Sequence, residues 1–179
     1  RQQHLLSLQS IINLLPIILK SHGSLAQQQY QETLTYLHIS PIGLQPLTIK
    51  HPSQILFTLK SLDIPNLCLM NKHNQLCISI KLNKNQRWST HAKLNSIHIT
   101  PWAKLLNLPF YCNSHINMQL QARGYNKKLL STNVTGELSQ GAIHINTNAN
   151  QLIFPIKSVK FNVIHTIINT KLNLQALLP

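Results

Sequence analysis

From Gln27 almost to the end of the chain, apolar residues return at every second position. Leu76, Ile78, Ile80 and Leu82 alternate with Cys77, Ser79 and Lys81, and Ile116, Met118, Leu120 and Ala122 with Asn117, Gln119 and Gln121. Val159, Phe161 and Val163 keep the same beat, as do Ile55, Phe57 and Leu59, where only Leu56 breaks it. A period of two belongs to antiparallel strands with one greasy and one wet face. The pattern predicts strands over 33–40, 47–50, 54–60, 66–70, 75–82, 88–94, 96–99, 114–123, 129–138, 142–147, 151–154, 158–168 and 171–177. Polar turn signals at 71–74, 83–86, 124–127, 139–141 and 146–150 join them as a meander. Only five glycines are present, which disfavours a small, tightly cornered barrel. The expected fold is mainly β: an elongated, twisted antiparallel sheet.

Two stretches depart from this beat. Leu5, Leu8, Ile12, Leu15 and Leu19 follow helical spacing, so an amphipathic helix at about 5–19 is favoured over a strand pair split at Pro16. Thr100 offers an N-cap, Pro101 fits a first helical position and Pro109 ends the turn, which predicts a second short helix at about 101–108. The chain thus divides into a helix and linker region over 1–26 and a β region over 27–179. Its first residue is Arg1 rather than Met, and it is expected to be a piece of a longer protein.

The most informative local pattern is the pair Cys68 and Cys77. A four-residue loop at 71–74 sets Met70 against Gln75, Leu69 against Leu76, Cys68 against Cys77 and Leu67 against Ile78. Opposed cross-strand cysteines lie within disulfide reach, and the same register gathers the four aliphatic residues on the other face. Two unrelated half-buried thiols are the alternative at this point. A bond here implies an oxidising compartment. Cys112 is left over and is expected to be a half-buried free thiol.

Charge narrows the function. Sixteen Lys and Arg against three acids give a formal net charge of +13, which attracts nucleic acid, anionic headgroups or an acidic surface. The acids, Glu32, Asp63 and Glu137, are far apart in sequence and too few for paired-carboxylate hydrolysis or a carboxylate-rich metal site. No nucleophile-elbow motif accompanies Asp63. Cys112 and His115 lack a second ligand pair at metal spacing, and the ten histidines are dispersed. No catalytic residues, cofactor or metal are therefore expected. A basic β-sheet that binds nucleic acid is the alternative function. Against it, only 6% of residues are aromatic and the lysines are spread evenly, whereas single-strand binders stack bases on rings. Asn133-Val134-Thr135 reads as a chance glycosylation triplet in an Asn-rich chain.

The segment 62–142, entered from Ser61, runs Leu62-Asp63-Ile64-Pro65-Asn66-Leu67-Cys68-Leu69, a polar loop, Gln75-Leu76-Cys77-Ile78-Ser79-Ile80, then Trp88. Ala92-Lys93-Leu94-Asn95-Ser96-Ile97-His98-Ile99-Thr100-Pro101-Trp102-Ala103-Lys104-Leu105-Leu106, Pro109 and a strand leading to Val134-Thr135-Gly136-Glu137-Leu138 follow. This resembles the TamB family of translocation and assembly module subunits, relatives of the AsmA-like proteins. Two departures stand out: no Gly near the start of the strand from Tyr111, and Asn and Lys where acids and Gly are common. The resemblance implies a taco-like apolar β-groove, an interior or C-terminal stretch of a parent protein anchored in the inner membrane of a Gram-negative bacterium. It implies phospholipids as ligands, a TamA-like outer-membrane barrel as partner through the parent, and a periplasmic location. A role in outer-membrane protein assembly is implied too, while nucleic acid and free-standing homo-oligomers are not.

On that reading the lipid-facing positions are Ile55, Phe57, Leu59, Leu67, Leu69, Leu76, Ile78, Ile80, Leu82, Leu94, Ile97, Ile99, Ile116, Met118, Leu120, Ile143, Ile145, Val159, Phe161 and Val163. Lys81, Lys93 and Arg123 are expected at the groove's rim, against anionic headgroups. The same apolar positions also suit an ordinary sandwich core.

Overall fold

The computed structural model describes residues 2–12, 15–26, 29–40, 45–100, 110–146 and 151–178. Its strands are β1 (Gln2–Ile12), β2 (Leu15–Ala26), β3 (Gln29–Ile39), β4 (Leu47–Ile49), β5 (Ser53–Thr58), β6 (Ser61–Met70), β7 (Gln75–Leu82) and β8 (Arg87–His98). They continue as β9 (Phe110–Cys112), β10 (His115–Tyr125), β11 (Lys128–Leu138), β12 (Gly141–Asn146), β13 (Gln151–Ile156), β14 (Ser158–Thr166) and β15 (Thr170–Leu177). Twelve strands form one sheet in the order β1-β2-β3-β4-β6-β7-β8-β10-β11-β14-β15, with β5 joining β3 to β6 beside β4. Its neighbours pair antiparallel throughout. Ten steps of about 4.8 Å carry that path across roughly 48 Å. A small sheet, β13-β12-β9, is inserted beside it.

The helix expected at 5–19 is not formed; the described residues of this stretch, 5–12 and 15–19, belong to the hairpin β1–β2. The stripe that imitated a helix becomes cross-strand pairs, with Leu8 opposite Leu19 and Ile12 opposite Leu15. Pro16 lacks the N–H an internal helical turn needs, yet a strand start accepts it, and its carbonyl takes a hydrogen bond from Ser40 N at 3.0 Å. Gln2–Ile12 and Leu15–Ala26 are thus the first two strands of the main sheet rather than a helical linker. The helix expected at 101–108 lies outside the described residues, although Ile99 and Thr100 enter a helical turn.

The two strands expected at 88–94 and 96–99 are one. Ser96 takes a positive φ of 53°, and the register with β10 slips between Ile116 and Met118. This bulge brings Ile97 onto the face of Leu94 despite the odd spacing. The side-chain oxygen of Asn117 accepts the Ser96 N–H at 2.8 Å, supplying the partner that the disturbed ladder does not.

The two sheets meet at a polar joint and an apolar cluster. Ser114, fully buried, donates its hydroxyl to the Ser139 carbonyl at 2.6 Å. Beside it Cys112, Ile156 and Val159 are buried, with Ile99, Leu138 and Ile143 packed against them. A second cluster, Leu34, Leu37, Leu47 and Leu69, ties β3, β4 and β6 together. Among the described residues few other side chains are buried. The accessible surface is 12442 Å², against about 8,800 Å² for a compact monomer of this mass. The excess fits a broad sheet whose described side chains stay largely open to solvent.

Candidate functional site, an uncovered apolar sheet face

Following the register from strand to strand shows how the alternation adds up. Leu67, Ile78, Ala92, Leu120, Val134, Val163 and Leu172 stand in one row across seven strands. The next row holds Leu69, Leu76, Leu94, Met118, Gly136, Phe161 and Leu174. Beyond the β8 bulge, Ile97, Ile116, Leu138, Val159 and Ala176 make a third. All lie on one face. In β7 and β10, at the middle of the sheet, every apolar position on that face except Ala122 is only half-buried. Inward positions on the central strands of a sandwich are fully buried, and the described residues leave this face more open than that.

The opposite face is wet and basic. Lys20, Lys81, Arg87, Lys93, Arg123, Lys128, Lys160 and Lys171 are the main sheet's strand lysines and arginines, and the register turns each of them to that side. Its acids are Asp63, opposite Lys81, and Glu137, opposite Lys160. Among the described residues no Phe, Tyr or Trp lines its centre between β7 and β11, where His91 is the one ring; Tyr125 stands at one end. Stacked bases would find no platform there.

Glu32 is the acid on the apolar side. It meets His4 at 2.7 Å across the intervening strand β2. They reach each other because β2 places Gly23 between them, where a Cβ would collide with the Glu32 carboxylate. Trp88 uses the same device, laying its indole over Gly124 and donating Nε1–H to the Asn126 carbonyl at 3.0 Å. Among the described residues no group of three His, Cys, Asp or Glu side chains is placed to hold a metal ion.

The cysteine hairpin has the expected register, Met70 to Gln75, Leu69 to Leu76, Cys68 to Cys77 and Leu67 to Ile78. Cys68 and Cys77 are bonded, with Cα atoms 4.0 Å apart. Cys112 is free but fully rather than half buried, and burial pushes its thiol above the ordinary value. Near pH 8 it is therefore protonated and enclosed, and the thiolate is the reactive form. Titration with a water-soluble disulfide reagent should find no fast-reacting thiol in the native protein and one per chain after denaturation without reductant. Three per chain would show the staple unmade.

Of the expected lipid-facing residues, Ile55, Phe57, Leu67, Leu69, Leu76, Ile78, Ile80, Leu82, Leu94, Ile97, Ile116, Met118, Leu120, Val159, Phe161 and Val163 share the one face. Leu59 does not; it sits in the β5–β6 turn, completely exposed. Ile143 and Ile145 belong to β12 in the small sheet, and Ile99, like Ile143, packs against the buried cluster at the joint. Lys81, Lys93 and Arg123 do not rim the apolar face. Each is one residue out of phase with the aliphatics, and in a strand that turns it to the other side. Sequence reading missed the contributions of Leu6, Leu8, Leu19, Leu172 and Leu174, which extend the apolar face to the outer strands.

A family model described as TamB, N-terminal domain, matches residues 1–179. The chain belongs to the TamB family. No curated protein and no solved structure matches it. The matched model is the family's N-terminal domain rather than a C-terminal stretch, and it covers β1 and β2 as well as the cysteine hairpin. TamB belongs to a transport and assembly module of the Gram-negative envelope, not to a known enzyme family.

Proposed function

We propose that this TamB segment holds phospholipid acyl chains along its apolar face, as one stretch of a periplasmic bridge. The bridge would run from an inner-membrane anchor to a TamA-like outer-membrane barrel. The observation that carries this reading is the set of unbroken apolar rows across seven strands whose central residues remain half-open to solvent. An exposed patch of that extent in a folded protein calls for an apolar occupant. Acyl chains suit it because each buried methylene contributes about 0.8 kcal/mol without any particular polar contact, which allows binding and sliding together. The apolar side of a nascent outer-membrane strand suits the same surface, and assembly of such proteins is part of the proposal. The disulfide fits a periplasmic location.

Site-specific photo-crosslinking in cells tests the reading. A photoreactive residue at Leu94 or Val134, on the apolar face, is expected to capture phospholipid. The same group at Lys93 or Thr135, one residue away and on the other face, is expected to capture none. Equal capture from both faces, or none from either, would remove the proposal.

A further inference from the structure

The polar face has a feature that acyl-chain binding does not use. Arg123 of β10 stands opposite Ser89 of β8, and Ser89 opposite Lys81 of β7. Two inter-strand steps put the Lys81 and Arg123 backbones about 10 Å apart, on either side of Ser89. Both side chains are long enough to reach the space above that serine. The surface there is a depression of about 410 Å³, lined also by Ser79, His91 and Asp63. Among the described residues, the side chains of Lys81, His91 and Arg123 make no hydrogen bond or ion pair within the protein. Their donors are unspent.

We propose that this depression binds a phosphate ester. An arginine fork takes two oxygens of one anion, while a lysine adds a point charge and a serine a further donor. The two fixed positive charges suit the nearly double negative charge of a phosphate monoester better than the single charge of a carboxylate, and its three terminal oxygens give fork, ammonium and hydroxyl each an acceptor. The ligand is not the headgroup of a lipid lying on the apolar face. β7, β8 and β10 are interior strands, and such a headgroup would have to cross the sheet. It is a free phosphate ester or the headgroup of a membrane facing the polar side. Asp63, on the far side of Lys81, opposes the anion and sets a ceiling on affinity.

Asp63 also gives the test a sign. Glycerol 3-phosphate, which has no acyl chain, is titrated into the intact protein, and flotation on vesicles containing phosphatidic acid, whose headgroup is the same monoester, is measured alongside. Lys81→Gln with Arg123→Gln is expected to weaken binding at least about tenfold, as loss of two charge-assisted contacts implies. Asp63→Asn is expected to strengthen it. Lys20→Gln with Lys171→Gln, the same charge removed from the same face near its two edges, is expected to change little. Saturable glycerol 3-phosphate binding with this ranking establishes a site for free esters. The same ranking in flotation alone assigns the site to a membrane headgroup. Absence of saturable binding to both probes overturns the proposal, as does equal weakening by the Lys20 and Lys171 pair, which would mean diffuse charge. Glycerol 3-phosphate binding is independent of acyl chains, so its failure and that of the lipid reading are told apart.

Discussion

Replacing Ile78 and Leu120 together with aspartate should strip the protein of phospholipid while leaving the sheet folded. The two residues stand in one row, each opposite Ala92 of β8. Both are half-buried with an open side, so a carboxylate there can reach water. The cost to folding is the lost partial burial, about 1 kcal/mol each. For an acyl chain the cost is larger. A charge on the track keeps its own hydration shell, and a chain losing contact along about four methylenes forfeits roughly 3 kcal/mol, more than a hundredfold in occupancy. The measurement is native mass spectrometry of the protein purified from a periplasm, with circular dichroism on the same sample. Ser79→Asp with Gln121→Asp adds the same charge to the same strands on the other face and is expected to keep its lipid. Retention by the Ile78 and Leu120 variant would show that lipid, if present, sits elsewhere.

Legibility followed burial. Where one face is greasy and the other wet, alternation is a direct record of the fold. The cysteine hairpin could therefore be aligned residue by residue, and Leu76 to Leu82 and Ile116 to Leu120 could be assigned to a shared face. The first 26 residues have no such asymmetry. In β1, Leu5 and Leu6 turn to opposite sides and both are exposed, because an outer strand beside a single neighbour is not forced to hide either face. Without that constraint, leucines at Leu8, Leu15 and Leu19 fit a helix as well as a hairpin, and periodicity alone does not choose. Leu59 misled for a related reason: it continues the beat of Ile55 and Phe57 one step past the strand end. The bulge at Ser96 left no sequence signal, since its left-handed backbone sits on a serine rather than a glycine. The rim lysines were misplaced although their phase was readable; alternation with the aliphatics already assigned them to the far side.

Leu69→Ala should be among the most destabilising single changes in the sheet. Leu69 is 5% exposed, in β6, where the row from β7 meets Ile49 of β4 and the cluster formed with Leu34, Leu37 and Leu47. That cluster matters because so little else is buried. A sheet of half-open residues gains only part of the transfer energy of each side chain, so stability concentrates where several strands enclose the same group. Removing three carbons there costs the transfer term plus a cavity, about 2–5 kcal/mol. Against a total of about 5–15 kcal/mol for an ordinary domain, that is a large share. The expected result is a lower urea midpoint with an unchanged slope, read by the far-ultraviolet signal of the strands. Leu59→Ala removes the same atoms from a fully exposed turn and should leave the midpoint in place. Breaking the Cys68–Cys77 staple by Cys68→Ser with Cys77→Ser lies between the two, at about 2–3 kcal/mol for so short a loop. If Leu69→Ala were as mild as Leu59→Ala, the enclosed cluster would not be what holds β3, β4 and β6 together, and the apolar face would owe its shape to backbone pairing alone.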